Sequence, residues 1–193
     1  MKILMRDVRL AFPSLWKPSA PKAGGEAAFS ASFLFPKTHP QYAELQDVIR
    51  KVASEKWADK APGILKAMVA SDKLCLHNGD AKEAYEGFSG MLYISARSKV
   101  RPTVIDQRRA DLVEADGKPY SGCYVNAQLE LWAQDNSYGK RINAQLRGVQ
   151  FLRDGDAFAG GSRPADADEF PEEIAAEGSA PAEAAAAQDD LLG

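Results

Sequence analysis

The stretch "CYVNAQLELWAQDNSYGKRINAQLRGVQFL", residues 123–152, decides the fold because it joins two alternating segments through a turn. In the first segment the odd positions from Cys123 to Ala133 are apolar, and in the second the apolar positions are Ile142, Ala144 and Leu146. Alternation with a period of two predicts a strand with one buried face. The "DNSYG" between them is rich in turn-forming residues, so the pair is predicted to be an antiparallel hairpin.

The opposite faces of these strands carry aromatic, basic and amide side chains. Tyr124 and Trp132 stand on the first strand, and Arg141 and Arg147 stand on the second. An ordinary solvated strand face is built from Thr, Ser, Lys and Glu, whereas flat rings among cations suit base stacking and contact with a phosphate backbone. For any single aromatic, cover by a neighbouring helix is an equally weighted alternative.

Upstream segments extend the predicted sheet. Residues 90–99, "GMLYISARSK", place Leu92, Ile94 and Ala96 on one face, and Tyr93, Arg97 and Lys99 on the other. Residues 26–37 also alternate, and Pro36 ends that strand. Residues 40–57 switch to helical spacing, and residues 61–71 predict a second short helix with Pro62 in its first turn. Residues 77–90 are predicted to be a loop.

Charge divides the chain into a basic body and an acidic end. Residues 1–163 hold all 24 Lys and Arg side chains and 18 acidic ones, a net of +6, while residues 164–193 hold nine acidic side chains and no basic one. A basic body with an acidic end is typical of a polyanion binder with an interaction tail, although a tail that serves only solubility is the alternative.

Catalytic and metal-binding functions have little support in the sequence. The chain has two cysteines and two histidines that are distant in sequence, a set that predicts neither a zinc site nor a nucleophile beside a base. It also has no phosphate-binding loop. We therefore expect no enzymatic activity, no metal and no cofactor. One carboxylate cluster could serve a magnesium nuclease or resolvase: Asp106, Asp111, Glu114 and Asp116. Its "EADGKP" sequence favours a solvated turn instead. A protein-only assembly module is the other alternative.

Several segments together carry a family resemblance. They are "RLAFPSLWKPSAPKAGGEAAFSASFLFPK", "KVRPTVID", "YSGCYVNAQLELWAQDN" and "GKRINAQLRGVQFLRDGDAFAGG", which cover most of residues 5–163. In this order they resemble a family of bacteriophage single-stranded DNA-binding proteins with an OB fold, long catalogued as a domain of unknown function. The family position near residue 12 is usually aromatic and is Phe here, which keeps a stacking face.

The resemblance implies a mainly β fold: an OB-fold-like antiparallel five-stranded barrel with a helical insertion over residues 1–160, followed by a disordered acidic tail over residues 161–193. It also implies sequence-independent binding of single-stranded DNA in phage replication or recombination. Such proteins commonly end in an acidic tail with an apolar tip that recruits replication proteins and competes with DNA. "QDDLLG" resembles that tip, with Leu191 and Leu192 after Asp189 and Asp190.

The predicted partners are therefore single-stranded DNA and, through the tail, replication or recombination proteins. No segment approaches the roughly 18 apolar residues of a membrane span, so we expect a soluble protein of the host cytoplasm. A homodimer is left open. The predicted DNA-binding residues are Tyr93, Arg97, Lys99, Arg101, Tyr124, Trp132, Arg141 and Arg147 along the groove, with Tyr120, Tyr138 and Lys140 on loops at its edge.

Overall fold

A computed structural model of the chain describes residues 1–20 and 24–158. Most of that backbone lies in strands and two helices, with 3-10 turns at Ala58–Lys60, Gly79–Lys82 and Glu114–Asp116. The elements are β1 Lys2–Ser19, β2 Ala28–Pro36, α1 Tyr42–Trp57, α2 Ala61–Ala70, β3 Leu76–Asn78, β4 Met91–Ser98, β5 Thr103–Ile105, β6 Tyr124–Asn136 and β7 Gly139–Arg153.

Five of the strands form a closed barrel in the order β4, β2, β1, β6, β7. Neighbours in this series pair antiparallel, and β4 then pairs with β7 in parallel through Ala96 with Ala144 and Arg97 with Gln145. The OB-like fold class predicted from the sequence is confirmed. The prediction of an entirely antiparallel barrel is corrected, because an odd number of strands cannot alternate in direction around a closed ring.

The barrel interior is filled by the apolar faces that the alternation predicts. Val125, Leu129 and Leu131 of β6 are fully buried, and Ile142 and Leu146 of β7 are nearly so. Completely burying an aliphatic side chain of this size contributes ~1.5–3 kcal/mol relative to leaving it exposed. The predicted inner faces of both strands of the hairpin are therefore confirmed.

Helix α1 packs its apolar face against the barrel core. Leu45, Ile49 and Val52 recur at helical spacing and are buried. Trp57 at its end donates a hydrogen bond from Nε1 to Asp135 Oδ2 on β6 at 2.8 Å. Both predicted helices are confirmed, with the expected proline in the first turn of α2. Among the described residues, no helix combines the length and the apolar character needed to span a membrane.

Strand β1 bends twice to follow the curve of the barrel. Asp7 and Phe12 have φ values of 50° and 49°, and the pairing register shifts between Met5 and Val8 and between Ala11 and Ser14. A non-glycine residue at positive φ is uncommon, and a bulge turns the side chain of the bulged residue in a new direction. The second bend leaves the Phe12 ring 47% exposed on the outside of β1.

After β7 the chain returns to the barrel and inserts one aromatic ring. Phe158 is 5% exposed and packs in a small apolar cluster with Phe88 and Tyr93. Gly87 and Gly122 make room for this segment, because a Cβ on Gly87 would lie 2.3 Å from the Phe158 ring and one on Gly122 would lie 2.1 Å from the Asp156 carbonyl oxygen. The predicted tail, 161–193, lies outside the described residues, so the domain boundary near residue 160 stays a prediction.

We expect Phe158→Ala to lower the free energy of unfolding by ~3 kcal/mol, the usual cost of deleting a buried aromatic ring. Urea unfolding followed by circular dichroism measures the change. Tyr138→Ala is the matched control, because Tyr138 is 83% exposed and its removal leaves no cavity. An unchanged midpoint for Phe158→Ala would place residues 154–158 outside the folded domain.

Candidate nucleic-acid interface

Two adjoining concavities run across the outer face of the barrel. One, of about 580 Å³, is lined among others by Trp132 and Arg141, and the other, of about 600 Å³, is lined by Phe12 and Tyr85. They share Ser95 and Arg97. We call this continuous depression the groove.

The strand register shows how the groove crosses the barrel. Ser30 on β2 pairs with Arg97 on β4, Arg97 pairs with Gln145 on β7, and the neighbouring Asn143 pairs with Trp132 on β6. From β2 to β6 this row spans three strand spacings, roughly 14 Å along the curved sheet at about 4.8 Å per spacing. The groove is deepest at its centre, because the side chains that line it there are serines, which are small.

At one end of the groove, β6 and β7 present an aromatic ring beside amides and a cation. Trp132 is 45% exposed, so helix α1 does not cover it. Asn143 donates a hydrogen bond from Nδ2 to Gln134 Oε1 at 3.1 Å, which fixes the amide surface next to the indole. Arg141 is exposed and forms no ion pair with any described residue. The predicted outward direction of this face is confirmed.

At the other end, the wall is formed by residues outside the predicted DNA-binding set, although the family resemblance marks Phe12 as a stacking face. The Phe12 and Tyr85 rings meet edge to face with centroids 5.2 Å apart, and Phe12 stacks on the buried Phe88 ring at 5.5 Å. Lys82 also lines this end. Alternation could not identify Phe12, because its direction depends on the bulge, and Tyr85 lies in a segment predicted only as a loop.

Several of the predicted cations have acidic partners in the free protein. Lys99 Nζ lies 2.5 Å from Glu26 Oε2, Lys140 Nζ lies 2.7 Å from Asp135 Oδ2, and Arg147 Nε lies 3.6 Å from Glu130 Oε2. Lys140 and Trp57 hold the pKa of Asp135 below its usual range by hydrogen bonding to its carboxylate.

Two of the predicted arginines contact neutral groups instead of acidic side chains. Arg97 donates to the backbone oxygen of Glu26 at 3.1 Å, at the centre of the groove. Arg101 lies over the Trp16 ring, with its Cζ 5.2 Å from the centroid. Neither forms an ion pair within the described residues, so both keep an uncompensated charge.

Tyr93 requires a correction. The sequence predicts it on the exposed face of β4, but the structure leaves it only 4% exposed. His77 stacks on its ring at 4.9 Å, Phe88 meets it edge to face at 5.1 Å, and Lys82 Nζ lies 4.7 Å above it. The segment between β3 and β4 covers this ring, so in this conformation Tyr93 supports the wall of the groove and does not offer a free face.

Tyr120 is also buried rather than exposed at an edge. It is 6% exposed, and its hydroxyl donates to Asp154 Oδ1 at 2.9 Å or to the Gly155 carbonyl oxygen at 3.0 Å, while accepting from the Gly155 N–H at 3.2 Å. Burial raises the pKa of this hydroxyl. Tyr120 therefore fastens the segment that follows β7.

The other two predicted tyrosines differ from each other. Tyr124 is half-buried, and Arg153 and Arg9 lie over its ring with Cζ 3.4 and 5.5 Å from the centroid. Its π face is thus already occupied by a guanidinium group. Tyr138, in the turn between β6 and β7, is freely accessible, as predicted for a loop at the groove's edge.

The carboxylates proposed for a nuclease do not converge. Asp106 Oδ1 accepts from the N–H groups of Arg108 and Ala110, which is the hydrogen bonding of a turn, and Glu114 pairs with Lys17. Within residues 1–20 and 24–158, no group of three or more His, Cys, Asp or Glu side chains could hold a metal ion. Burial raises the pKa of both thiols, Cys75 and Cys123, to about 12.

Comparison with known proteins places this geometry among DNA-binding proteins. The family model described as the single-stranded DNA-binding protein of Enterobacter phage Enc34 matches residues 1–180. Putative protein p50 of Acyrthosiphon pisum secondary endosymbiont phage 1 is 46% identical over 164 residues, which is 83% of this chain and 88% of that protein.

Solved structures give the same result. The single-stranded DNA-binding protein from bacteriophage Enc34, in complex with single-stranded DNA, is 33% identical over 81% of this chain and 88% of that one, with a TM-score of 0.68. The single-stranded DNA-binding protein gp2.5 of bacteriophage T7 shares the fold at 13% identity, covers 94% of this chain and 99% of its own, and has a TM-score of 0.54.

We expect Tyr120→Phe to lower the free energy of unfolding by ~1 kcal/mol, because it removes the hydrogen bonds that the buried hydroxyl makes with Asp154 and Gly155. Urea unfolding measures the loss. Since burial raises the Tyr120 pKa, part of the wild-type stability is lost as pH rises above the ordinary tyrosine value, and the variant should lose less over that range. A variant as stable as the wild type would contradict the structural role.

Proposed function

The chain belongs to the family of phage single-stranded DNA-binding proteins typified by that of Enterobacter phage Enc34, and from that membership we propose that it binds single-stranded DNA in the groove without sequence preference. The observation that carries this proposal is the arrangement of exposed rings at both ends of the groove with unpaired arginines between them. The family binds DNA and is not a family of enzymes, so the prediction of a non-catalytic protein is confirmed.

Base stacking at the two ends supplies the sequence-independent part of the affinity. Every base has a π face, and stacking on an aromatic side chain contributes ~1–3 kcal/mol per base. Trp132 offers such a face at one end, and Phe12 and Tyr85 offer one at the other. A DNA strand that reaches both ends of the groove crosses β2 and β4. These are the second and third strands of the barrel, and they form the surface with which OB folds bind oligonucleotides.

Cations and hydroxyl groups between the rings contact the phosphate backbone. Arg97 lies at the centre, with Arg141 beside Trp132. Ser30 and Ser95 are small enough to let a backbone approach and can donate hydrogen bonds to phosphate oxygens. Of the predicted contacts, Lys99, Arg101, Arg147, Lys140 and Tyr138 remain part of the proposal. Tyr93 supports the wall of the groove, Tyr120 holds the segment after β7, and Arg153 covers the ring of Tyr124.

The wider role that we propose is protection of DNA intermediates in phage replication or recombination, in the cytoplasm of the host cell. Within that role the acidic tail, residues 161–193, competes with DNA for the groove. Its tip, Asp189 to Leu192, gives a partner protein two leucines to bury beside two carboxylates. A replication or recombination protein is the proposed partner.

We expect the wild-type chain to bind a labelled single-stranded oligonucleotide more tightly than its duplex, measured by fluorescence anisotropy at low salt. Trp132→Ala and Tyr85→Ala should each weaken binding by ~1–3 kcal/mol for each stacked base that is lost. Both side chains are largely exposed, so the urea midpoint should change little.

Val69→Ala is the matched control, because Val69 is 67% exposed on α2 and lines neither concavity. Its affinity should equal that of the wild type. Absence of any binding at low salt would support the alternative of a protein-only assembly module. Sedimentation of the same samples decides between a monomer and the homodimer that the sequence leaves open.

Deletion of residues 164–193 should raise affinity for single-stranded DNA, because it removes nine carboxylates tethered near a body of net charge +6. The increase should be largest at low ionic strength, where screening is weakest. Unchanged affinity under those conditions would rule out competition by the tail. Its partner role has a separate test: Leu191→Ser with Leu192→Ser, which leaves the charge of the tail unchanged, should abolish capture of a replication partner without changing DNA affinity.

A further inference from the structure

One acidic residue, Glu26, contacts two of the cations that line the groove. The Glu26 carboxylate is 2.5 Å from Lys99 Nζ, and the Glu26 backbone oxygen accepts a hydrogen bond from Arg97 at 3.1 Å. Glu26, Arg97 and Lys99 all line the concavity that contains Trp132. A single residue therefore presents two acceptor oxygens to two of the cations that the proposed DNA contacts need.

These two oxygens resemble the groups that a strand would bring. A carboxylate and a phosphate both accept charge-assisted hydrogen bonds from Lys and Arg through anionic oxygens. The pair with Lys99 is highly exposed, with 77% of the lysine side chain and 76% of the glutamate side chain accessible. Exposed ion pairs contribute little to stability, so a phosphate can replace Glu26 without disturbing the fold.

We propose that Glu26 acts as an internal substitute for phosphate, which occupies Lys99 and Arg97 in the free protein and has to leave when single-stranded DNA binds. This inference rests on the proposed function of the groove. It assigns to Glu26 a role in specificity, because an isolated phosphate that displaces it gains no stacking. A continuous strand replaces both contacts and also stacks its bases at the ends.

The exchange also changes the salt dependence of binding. A cation that meets DNA without an internal partner releases a counterion, and each such contact adds about −0.7 to the slope of log affinity against log salt on single strands. When DNA displaces Glu26, the freed carboxylate takes up a cation from solution. This uptake offsets the counterion that the DNA phosphate releases. Lys99 therefore adds little to the wild-type slope, although it contacts the strand.

The test compares Glu26→Gln with the wild type by anisotropy titration across a salt series. Glu26→Gln keeps the backbone oxygen that Arg97 uses and removes the charge opposite Lys99. We expect its slope to steepen by about 0.7 and its affinity at ~50 mM salt to rise about eightfold relative to a ~1 M reference, since one more counterion is released. Its melting temperature should match the wild type, because the residue is exposed.

Asp47→Asn is the matched control for the change in net charge. Asp47 forms an exposed ion pair of the same kind, 2.8 Å from Arg50 on α1, and lines neither concavity. If Glu26 acts locally, Asp47→Asn leaves the slope unchanged, and Glu26→Gln has no effect in a Lys99→Ala background. Equal effects of Glu26→Gln and Asp47→Asn, or a gain that persists without Lys99, would overturn the inference.

The same titrations separate this inference from the proposed function. A wild-type chain that fails to bind single-stranded DNA at low salt refutes the proposed function and the role of Glu26 with it. Wild-type binding with an identical slope for Glu26→Gln refutes only the role of Glu26. Inorganic phosphate as a competitor gives a further readout: it should inhibit the variant at lower concentration than it inhibits the wild type.

Discussion

The short parallel pairing between β4 and β7 is the constraint on which the rest of the structure depends. It joins Ala96 to Ala144 and Arg97 to Gln145, and so closes five strands into a ring that cannot be fully antiparallel. Without it, the five strands would form an open sheet, with β4 towards one edge and β7 towards the other. Closure places Arg97 next to the strand that carries Arg141 and Asn143, and thus makes one continuous groove from residues that are more than a hundred positions apart in the chain.

Alternation in the sequence was sufficient to predict the strands, because a two-residue period directly reports which face is buried. The inner faces of β6 and β7 and the exposed Trp132 follow from it, and the two helices follow from the switch to helical spacing. Alternation does not report whether an outer face is later covered by another segment. Tyr93 and Tyr120 were assigned to exposed positions for that reason, whereas the chain between β3 and β4 and the segment after β7 bury them. Alternation did not identify Phe12, which only the family resemblance marks, because its direction depends on a backbone bend with no signature in the periodicity.

Charge shows a similar limit. The sequence locates each lysine and arginine but not the carboxylates that the fold brings to them across a strand pair or a loop. Glu130 meets Arg147 because β6 and β7 pair in this register, and Glu26 meets Lys99 because the end of the loop before β2 lies beside the end of β4. A count of cations therefore overstates the positive potential of this face: of the predicted cations, Arg97, Arg101 and Arg141 form no ion pair with a described residue.

This distribution of charge has a consequence for selectivity between single strands and duplexes. A duplex presents phosphates in abundance, but its bases are stacked on each other and cannot reach Trp132 or Tyr85. If internal carboxylates weaken the attraction of the groove for phosphate alone, a duplex gains little from contact with it. A single strand gains the same phosphate contacts together with ~1–3 kcal/mol for each base that stacks. Acidic side chains that partly neutralise the groove weaken its contacts with phosphate, which both kinds of DNA can make. Base stacking then supplies a larger part of the binding free energy, and only a single strand can stack its bases on the protein.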